Sequence, residues 1–444
     1  MIPLPVDFVN QIKADIFWPN EIIDAFDTEP PVSVRINPSK INSDITNLDP
    51  VSWNQYGYYL PKRPVFTLDP KFHAGCYYPQ EAGSMVLEYI LNILDISRKS
   101  TILDLCAAPG GKSTLISTWL EYDGFLVSNE IIPSRNSILR ENITKWGAIN
   151  SVITCNQPIH FKELASVFDV ILVDAPCSGE GMFRKDPDSR NEWSLKNVEL
   201  CADRQKQIVC DVWDSLKENG YLIYSTCTLN ANENEDTISW LSEKLNAEIV
   251  NFILPEQAIE GRKGIGCYFV PGITKSEGFF IAVLKKKVPV LVKNKKYKST
   301  LRLLQKNDLQ ELGKYLDLDP LSYYDSKGNI FGIETKHIQM VEILNAKLFC
   351  TKIGIALGIR LPKKIEPHHE LALSKILLNS TPKVELDKKN ALLYLKGETF
   401  ELNNLTKGYY LVTYKDHGLG WINHIGNRFN NLYPKEWRIR MRID

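Results

Sequence analysis

Two cysteines and one aspartate stand at the ends of stretches that are typical of buried strands. Asp174 and Cys177 follow the apolar run DVILV, and Cys227 ends GYLIYSTC. Loops at the carboxyl ends of strands form the ligand crevice of an open α/β sheet, so we expect these three side chains to face one pocket. A thiolate there can add to carbon 6 of cytosine and make carbon 5 a nucleophile toward a sulfonium methyl group.

That chemistry needs further groups around the attacking thiolate. Negative charge that develops toward N3 of the ring requires a proton or hydrogen-bond donor, a role suited to a protonated or shared Asp174. Cys177, or a water that it positions, is a candidate base for the carbon 5 proton. The pKa of the attacking thiol must be lowered from its ordinary value of about 8.5, which a helix amino terminus or a cation such as Lys112 could do.

The other cysteines are expected to be structural. A free cysteine is most often a small buried residue. The thiol of Cys106 is expected to be inert, although its backbone can serve a cofactor. We assign the core role to the following residues: Cys76, Cys155, Cys201, Cys210, Cys267 and Cys350.

A glycine-containing turn, CAAPGGKS, follows the strand TILDL and precedes a helix. It lacks the first glycine of a phosphate-binding loop, because Cys106 stands there, and no G-x-G-x-x-G spacing occurs. The remaining interpretation is a turn whose backbone amides bind the methionine carboxylate of S-adenosylmethionine. Glu130 ends the next strand about 20 residues on, where a carboxylate holds ribose hydroxyls. The alternative is a solvated acid at the strand end.

Strands and helices that alternate along the chain position these residues. Predicted strands cover 101–105, 125–130, 151–155, 169–176, 220–227 and 278–286, and predicted helices cover 79–95, 112–121, 134–146, 197–217 and 231–244. Such alternation within one block indicates an α/β fold with a mostly parallel, doubly wound sheet.

Composition places this sheet in a larger cytoplasmic protein. A chain of 444 residues with 44% hydrophobic and 24% charged residues predicts two or three globular domains. Lys plus Arg and Asp plus Glu number 53 each, so net charge neither favours nor excludes nucleic acid. Nine cysteines without a C-x-x-C pair fit free thiols in a reducing compartment. We expect neither a signal peptide nor a membrane-spanning segment.

The pattern along the chain predicts four segments. Residues 1–75 are short apolar pieces that include VSVRINPSK, a strand and turn. The α/β block occupies 76–287, and the Lys-rich stretch 288–300 is a linker. Residues 301–444 form a C-terminal region that ends in a small β-rich module.

Five motifs resemble those of the RNA cytosine-5 methyltransferases of the NOL1/NOP2/Sun family, and within it the bacterial RsmF type that modifies 16S ribosomal RNA. The motifs are GCYYPQEAGSM, LDLCAAPGGKST, NEIIPSR, LVDAPCSGEGMFRKDP and YSTCTLNANENE. The segment GYYLVTYKDHGLGWINHIGNRFNNLYPKEWR is similar to the PUA-like RNA-binding module of that type. The resemblance therefore covers nearly the whole chain.

The resemblance implies a Rossmann-like S-adenosylmethionine-dependent methyltransferase domain between a small N-terminal α+β RNA-binding domain and the PUA-like module. It implies methylation of a 16S ribosomal RNA cytosine at carbon 5, through a covalent bond between Cys227 and carbon 6. Cys177 would assist product release, and Asp174 and Lys112 would lie near the target base. The cofactor would be surrounded by Cys106, Ala107, Ala108, Pro109, Gly110, Gly111, Lys112, Glu130, Arg135, Gln157 and Asp174.

The expected partner is 16S ribosomal RNA, within a small-subunit particle, bound by a cytoplasmic monomer without metal or membrane. Two positions depart from the family pattern. Relatives often carry an acid after the third strand that contacts adenine, where this chain has Asn156 and Gln157. CYFVPG lacks the Arg and His that many relatives show around Pro271. A transfer RNA cytosine-5 methyltransferase and a noncatalytic RNA-binding assembly factor remain alternatives.

Overall fold

A computed structural model of the chain describes residues 2–19, 21–41, 47–121, 123–289, 301–402 and 404–443. The predicted linker 288–300 lies outside the described residues from residue 290 onward. No helix within these ranges is long and apolar enough to cross a membrane.

The N-terminal segment is a small antiparallel sheet with short helices. Its helices are α1 (Val6–Ala14), α2 (Glu21–Ala25) and α3 (Pro70–His73), and its strands are β1 (Val32–Ile36), β2 (Asp49–Pro50), β3 (Gly57–Leu60) and β4 (Tyr77–Pro79). The strand order is β2-β3-β1-β4. Because β4 pairs with β1, this sheet extends past the boundary that the sequence predicts at residue 75.

The central segment contains the predicted alternation of strands and helices. Its helices are α4 (Leu87–Ile93), α5 (Gly111–Trp119), α6 (Pro133–Trp146), α7 (Ser189–Glu192), α8 (Leu195–Val212) and α9 (Glu235–Leu245). Its strands are β5 (Thr101–Asp104), β6 (Phe125–Asn129), β7 (Ser151–Thr154), β8 (Phe168–Asp174), β9 (Leu216–Thr226), β10 (Ala247–Ile249), β11 (Ile259–Glu260), β12 (Cys267–Phe269) and β13 (Phe279–Lys286).

These strands confirm the doubly wound sheet. Strands β7, β6, β5, β8 and β9 are adjacent and parallel, and β13 adds to β9 antiparallel. The chain runs from β5 outward to β7 and then returns to β8 on the other side of β5. This reversal opens a crevice beyond the carboxyl ends of β5 and β8. Alternate residues of the strands pack on opposite faces, with Leu103 and Val127 in one apolar core and Ile102 and Leu126 in the other.

The C-terminal segment contains two further sheets. Its helices are α10 (Ile338–Lys347), α11 (His369–Leu373) and α12 (Lys388–Lys396), and its strands are β14 (Arg302–Leu303), β15 (Leu321–Ser326), β16 (Asn329–Glu334), β17 (Cys350–Ile353), β18 (Ile355–Leu361), β19 (Lys364–Pro367), β20 (Lys383–Glu385), β21 (Gly408–Tyr414), β22 (His417–His424) and β23 (Phe429–Asn431). The orders are β14-β15-β16-β18-β19 and β20-β21-β22-β23, so the predicted β-rich module is confirmed.

One strand of this C-terminal segment joins the central sheet. Residues 350–353 form β17, which pairs antiparallel with β7. Leu344, Leu348 and Ile353 are buried in the same apolar core as Leu103. The C-terminal region is therefore built into the α/β sheet, whereas the sequence predicts a region set apart by a linker.

Two helices begin or end at positions different from those predicted, and polar side chains cap the starts of both. The helix predicted over 79–95 begins as a 3₁₀ turn at Gly83, because the Glu81 carboxylate accepts the backbone N–H groups of Gly83 and Ser84 at 2.8 and 2.9 Å. The helix predicted over 197–217 is shorter. Ser194 caps its start, it ends at Val212, and β9 already begins at Leu216.

Candidate active site

The glycine turn lies between β5 and α5 and is fixed by neighbouring elements. Gly110 has φ +117°, a left-handed conformation that favours glycine, and α5 begins at the next residue. The Ala107 N–H donates to the Asn129 carbonyl at 2.8 Å, and Asn142 donates to the Pro109 carbonyl at 2.8 Å. The amides at the start of α5 therefore stand in a fixed arrangement suited to an anionic group.

Glu130 is a buried carboxylate at the end of β6. One oxygen accepts the Ile132 N–H at 2.9 Å, and the other lies 3.6 Å from the Arg135 guanidinium. Arg135 also donates to the Ala108 carbonyl at 2.9 Å. Arg135 thus links the carboxylate to the glycine turn. The side chain at position 130 is 4% exposed, so a solvated strand-end acid does not describe it.

Asp104, which the sequence analysis does not select, lies under the turn at the end of β5. It is fully buried, and one of its oxygens accepts the Ser113 hydroxyl at 2.6 Å. The other oxygen has no hydrogen-bond partner among the described residues. Burial raises the pKa of this carboxyl to about 7. An acid inside the apolar run TILDL is the sequence feature that could have revealed it.

Two neighbouring amides after β7, Asn156 and Gln157, are those that the sequence predicts to contact the adenine edge, and they differ in burial. Asn156 is buried and exchanges two hydrogen bonds with the backbone of Phe349, at 3.0 and 3.1 Å. Its side chain is therefore used to hold β17. Gln157 is exposed and begins the 3₁₀ turn over 158–164. Only Gln157 keeps an amide available for a ligand at this end of the crevice.

The two predicted functional thiols meet beyond the carboxyl ends of β8 and β9. The sulfur atoms of Cys177 and Cys227 are 3.0 Å apart, and the Cys227 N–H lies 3.3 Å from the Cys177 sulfur. Their hydrogen bond, burial and the nearby Cys227 charge raise the pKa of Cys177 well above its ordinary value. Cys177 therefore keeps its proton when the pair carries one negative charge.

An ion pair lies beside the thiols. Lys112, on the first turn of α5, places its ammonium 2.8 Å from the Asp174 carboxylate, whose other oxygen accepts the Ser225 hydroxyl at 2.7 Å. Burial would lower the pKa of Lys112, but Asp174, Asp104 and Cys227 together raise it above its ordinary value. The raised pKa of Lys112 keeps its ammonium protonated, and this ammonium donates the hydrogen bond to Asp174.

A buried polar network holds the loop that carries Cys177. The carbonyl before this cysteine, on Pro176, accepts the Gln205 amide at 3.0 Å. The N–H after it, on Ser178, donates to Glu233 at 3.0 Å, and Gln205 also donates to Glu233 at 2.7 Å. Gln205 lies on α8 and Glu233 in the turn before α9, and no local motif in the sequence predicts their meeting.

Arg35 of the N-terminal sheet is another residue that the sequence analysis does not select. It is 1% exposed and donates to the Thr114 hydroxyl at 2.6 Å and to the Gly111 carbonyl at 3.1 Å. An arginine within the strand VSVRI was the available sequence feature. The Arg35 side chain connects the N-terminal domain to α5, the helix that follows the glycine turn.

The remaining cysteines divide into two groups. All nine cysteines are free thiols. Cys76, Cys201 and Cys267 are buried as predicted, while burial also raises the pKa of Cys106 and keeps its thiol protonated. Cys210 and Cys350 are half-buried and pack against the main apolar core, whereas the core prediction is wrong for the half-buried Cys155, which belongs to none of the apolar cores.

The crevice fits S-adenosylmethionine. The α5 amides suit its carboxylate, Glu130 suits ribose hydroxyls, and the unpartnered oxygen of Asp104 suits a cationic group. Together with the parallel sheet, these groups define a Rossmann-like S-adenosylmethionine-dependent methyltransferase. Residues 91–285 match the family of 16S rRNA methyltransferases RsmB/F, residues 4–82 match the N-terminal domain of RsmF, and residues 381–439 match the RsmF PUA domain.

Relatives extend this likeness over the full length. Ribosomal RNA small subunit methyltransferase F of Shewanella loihica is 30% identical, with 98% of this chain and 96% of the relative covered. That of Shewanella woodyi is 31% identical, with 98% and 97% covered. The chain therefore belongs to the RsmB/F family of 16S rRNA methyltransferases.

Solved structures share the fold. A methyltransferase homolog protein from Pyrococcus horikoshii is 28% identical, with 60% of this chain and 90% of that chain covered and a TM-score of 0.51. NSun6 from Pyrococcus horikoshii, in a structure with SFG, is 21% identical, with 64% and 99% covered and a TM-score of 0.54.

Proposed function

We propose that this protein methylates carbon 5 of a cytosine in 16S ribosomal RNA, with Cys227 as the nucleophile. The observation that carries the proposal is the thiol pair, 3.0 Å between sulfurs, beside the Lys112–Asp174 ion pair. Two adjacent thiols allow one to attack the ring and the other to assist its release. Relatives named ribosomal RNA small subunit methyltransferase F support the substrate class.

The crevice residues hold the methyl donor. When bound, S-adenosylmethionine supplies the sulfonium methyl group that carbon 5 accepts. The turn residues Cys106 to Lys112 would bind its carboxylate end, Asp104 would accept a hydrogen bond from its ammonium group, and Glu130 would accept hydrogen bonds from the ribose hydroxyls. Arg135 links Glu130 to the turn, and the exposed amide of Gln157 would bind the adenine edge. These roles rest on the positions of the side chains around the sheet switch point.

Cys227 attacks because its partner retains a proton. The raised pKa of Cys177 makes it the hydrogen-bond donor to a Cys227 thiolate. The Cys227 sulfur then bonds to carbon 6, and the carbon 5–carbon 6 electron pair makes carbon 5 nucleophilic. Lys112, held by Asp174, donates a hydrogen bond to the ring where negative charge collects.

Cys177 acts after methyl transfer. Once the Cys227 sulfur is bonded to carbon 6, its hydrogen bond with Cys177 and its negative charge no longer raise the pKa of Cys177. Cys177 can then lose its proton to solvent and accept the carbon 5 proton. The electron pair of the carbon–hydrogen bond reforms the ring double bond, and the carbon 6–sulfur bond breaks to release Cys227 as a thiolate.

We further propose a cytoplasmic monomer that acts on the small ribosomal subunit without a metal. Residues 1–75 and the PUA match over 381–439 bind the RNA around the central domain of residues 76–287. A transfer RNA substrate has no specific support in the site. A noncatalytic assembly factor has no need for an adjacent thiol pair and a half-buried ion pair.

Methyl transfer to isolated small subunits, free 16S RNA and transfer RNA tests this function. Purified protein with labelled S-adenosylmethionine should label 16S RNA, and bisulfite sequencing should place 5-methylcytosine at one position. Label in transfer RNA alone rejects the ribosomal substrate. No label in any RNA, with the wild-type protein folded and binding S-adenosylhomocysteine, rejects the enzymatic function.

A further inference from the structure

A groove of about 670 Å³ runs between the N-terminal domain and two loops of the central domain. One wall consists of residues 29–32 and 60–63, and the other of residues 184–185 and 274–275. The crevice for the methyl donor lies elsewhere, at the carboxyl ends of β5, β6 and β8. The function described above does not account for this groove.

The groove carries more cations than its ion pairs neutralise. Lys62, Arg63 and Lys185 are exposed and form no ion pair with any residue of the described ranges. A fourth cation, Lys275, is paired with Asp49 at 2.5 Å. Glu29 is the acid in the lining. In a chain with 53 basic and 53 acidic residues, this is a local concentration of positive charge.

Arg184 joins the two walls and fixes the shape of the groove. Its guanidinium binds both oxygens of Glu277, at 3.2 and 3.1 Å, and donates to the Ser276 carbonyl at 2.7 Å. It also donates to the Thr28 hydroxyl of the N-terminal domain at 3.1 Å. Because Arg184 and Glu277 are both nearly fully buried, the pair is structural, and the neighbouring Lys185 remains for a ligand.

Two loops that line the groove continue along the chain to residues of the active site. The groove residue Arg184 follows Cys177 by seven positions on the same loop. On the opposite side, Glu277 precedes Phe279, whose ring centroid is 5.0 Å from the Lys112 ammonium. A strand that places one base between Cys227 and Lys112 therefore has this groove as a path for its neighbouring residues.

We propose that the groove binds the phosphate backbone of the unpaired RNA next to the target cytosine, an inference that rests on the proposed function. A base must leave its stack to reach the thiols, so its neighbours are unpaired. Lysine and arginine contact phosphates without reading sequence, and each neutralised phosphate releases counterions. The groove sets affinity and the path of the strand and leaves the choice of cytosine to other contacts.

The test compares two triple variants of the full-length protein. One combines Lys62→Ala, Arg63→Ala and Lys185→Ala. The matched control combines Lys99→Ala, Lys196→Ala and Lys244→Ala, which are exposed lysines outside the groove and outside the proposed RNA-binding residues 1–75 and 381–439. Fluorescence anisotropy measures binding of a 16S RNA fragment across a salt series, and calorimetry measures binding of S-adenosylhomocysteine.

The groove variant should lose roughly ten- to a hundredfold in RNA affinity, and its logarithmic salt slope should fall by about 2, at about 0.7 per phosphate. Its affinity for S-adenosylhomocysteine should equal that of the wild type, and the control should retain the wild-type slope. An unchanged slope, or equal losses in both variants, overturns the proposal. Weaker binding to the small-subunit particle with unchanged binding to free RNA assigns the groove to a protein surface and also overturns it.

The two proposals fail in different ways. If the wild type methylates RNA while the groove variant keeps its salt slope, only the groove assignment is wrong. If the wild type neither binds nor methylates RNA, the proposed function is wrong and the groove loses its basis.

Discussion

The thiol of Cys177 has a raised pKa because of its hydrogen bond with Cys227, whose sulfur is 3.0 Å away, and because of its burial, and we propose different roles for the two sulfurs. In this proposal, Cys227 attacks the ring as a thiolate while Cys177 keeps its proton. The sulfur that keeps its proton is available later, when its neighbour is covalently bound. In the proposed mechanism, the contact between these two side chains sets the order in which the sulfurs act.

Removing each thiol should therefore stop the reaction at a different point. Cys177→Ala should accumulate a covalent enzyme–RNA complex that survives denaturing gel electrophoresis, because carbon 5 keeps its proton and Cys227 cannot leave. Cys227→Ala should give neither complex nor methylated RNA. The control Cys210→Ala, a half-buried thiol on α8, should behave like the wild type. A Cys177→Ala variant with normal turnover contradicts the assigned roles.

Burial of Asp104 should lower the free energy of unfolding as the pH rises. Its pKa is raised to about 7, so the folded protein favours the protonated acid. The resulting stability is present below the unfolded-state pKa of about 3.9 and is lost as the pH rises through about 7. Asp104→Asn should therefore raise the free energy of unfolding at pH 8 by up to about 4 kcal/mol, with a smaller gain at pH 5.

The same substitution should weaken binding of S-adenosylhomocysteine at pH 8, because it removes the carboxylate that we propose binds the ammonium group of the ligand. Urea unfolding without ligand and calorimetry with ligand measure the two effects. A stability difference that is the same at pH 5 and pH 8 would contradict the role of this buried acid.

At the scale of elements, close backbone contact positions the loops that carry the thiols. The Gly181 N–H donates to the Cys227 carbonyl at 2.9 Å. A Cβ at position 181 would lie 2.2 Å from the Gly278 carbonyl oxygen, a distance that forces backbone movement. The loop after β8, the loop after β9 and the residue before β13 are therefore held together by close backbone contact.

Gly181→Ala should destabilise the protein by roughly 2–4 kcal/mol and lower the rate of methyl transfer further than stability alone explains. Gly179→Ala is the matched control. Position 179 has φ +80° but no atom within 4 Å of its Cβ, so it should cost only about 1 kcal/mol. Thermal unfolding and initial rates measure both variants. Equal effects of the two substitutions would show that the contact with Gly278 is unimportant.

Local patterns predicted most of these elements. Apolar runs and helical spacing located β5 to β9 and the helices between them, and strand-end logic brought Asp174, Cys177 and Cys227 together. Element ends were less accurate where one polar side chain, such as Glu81, decides the first hydrogen bonds. Asp104 and Glu233 were missed because their importance depends on burial, which a single position in a sequence does not reveal.

At the scale of the whole molecule, the three parts share cores and a sheet. β17 pairs with β7, and Ala74 and Cys76 of the N-terminal part belong to the same apolar core as Val412 and Ile422 of the PUA match. Pairing between residues about 200 positions apart leaves no local pattern, so the sequence predicted separate regions. The C-terminal region therefore supports the catalytic sheet as well as RNA binding.

Removal of residues 301–444 should consequently do more than weaken RNA binding. It removes β17 and exposes the edge of β7, together with apolar surface that Leu344, Leu348 and Ile353 cover. The unfolding midpoint should fall by roughly ten degrees or more. Differential scanning calorimetry of the full and shortened chains measures this. A shortened chain that unfolds at the full-length midpoint would show that the central domain is independent of β17.

The most direct measurement for the whole account is the identity of the sulfur that bonds to the ring. RNA that carries 5-fluorocytosine at the target position has no carbon 5 proton to lose, so the complex should remain covalent after methyl transfer. Protease digestion and mass spectrometry should find the nucleotide on the peptide that contains Cys227. A nucleotide on the Cys177 peptide, or no covalent complex with methylation of normal RNA intact, would contradict the mechanism.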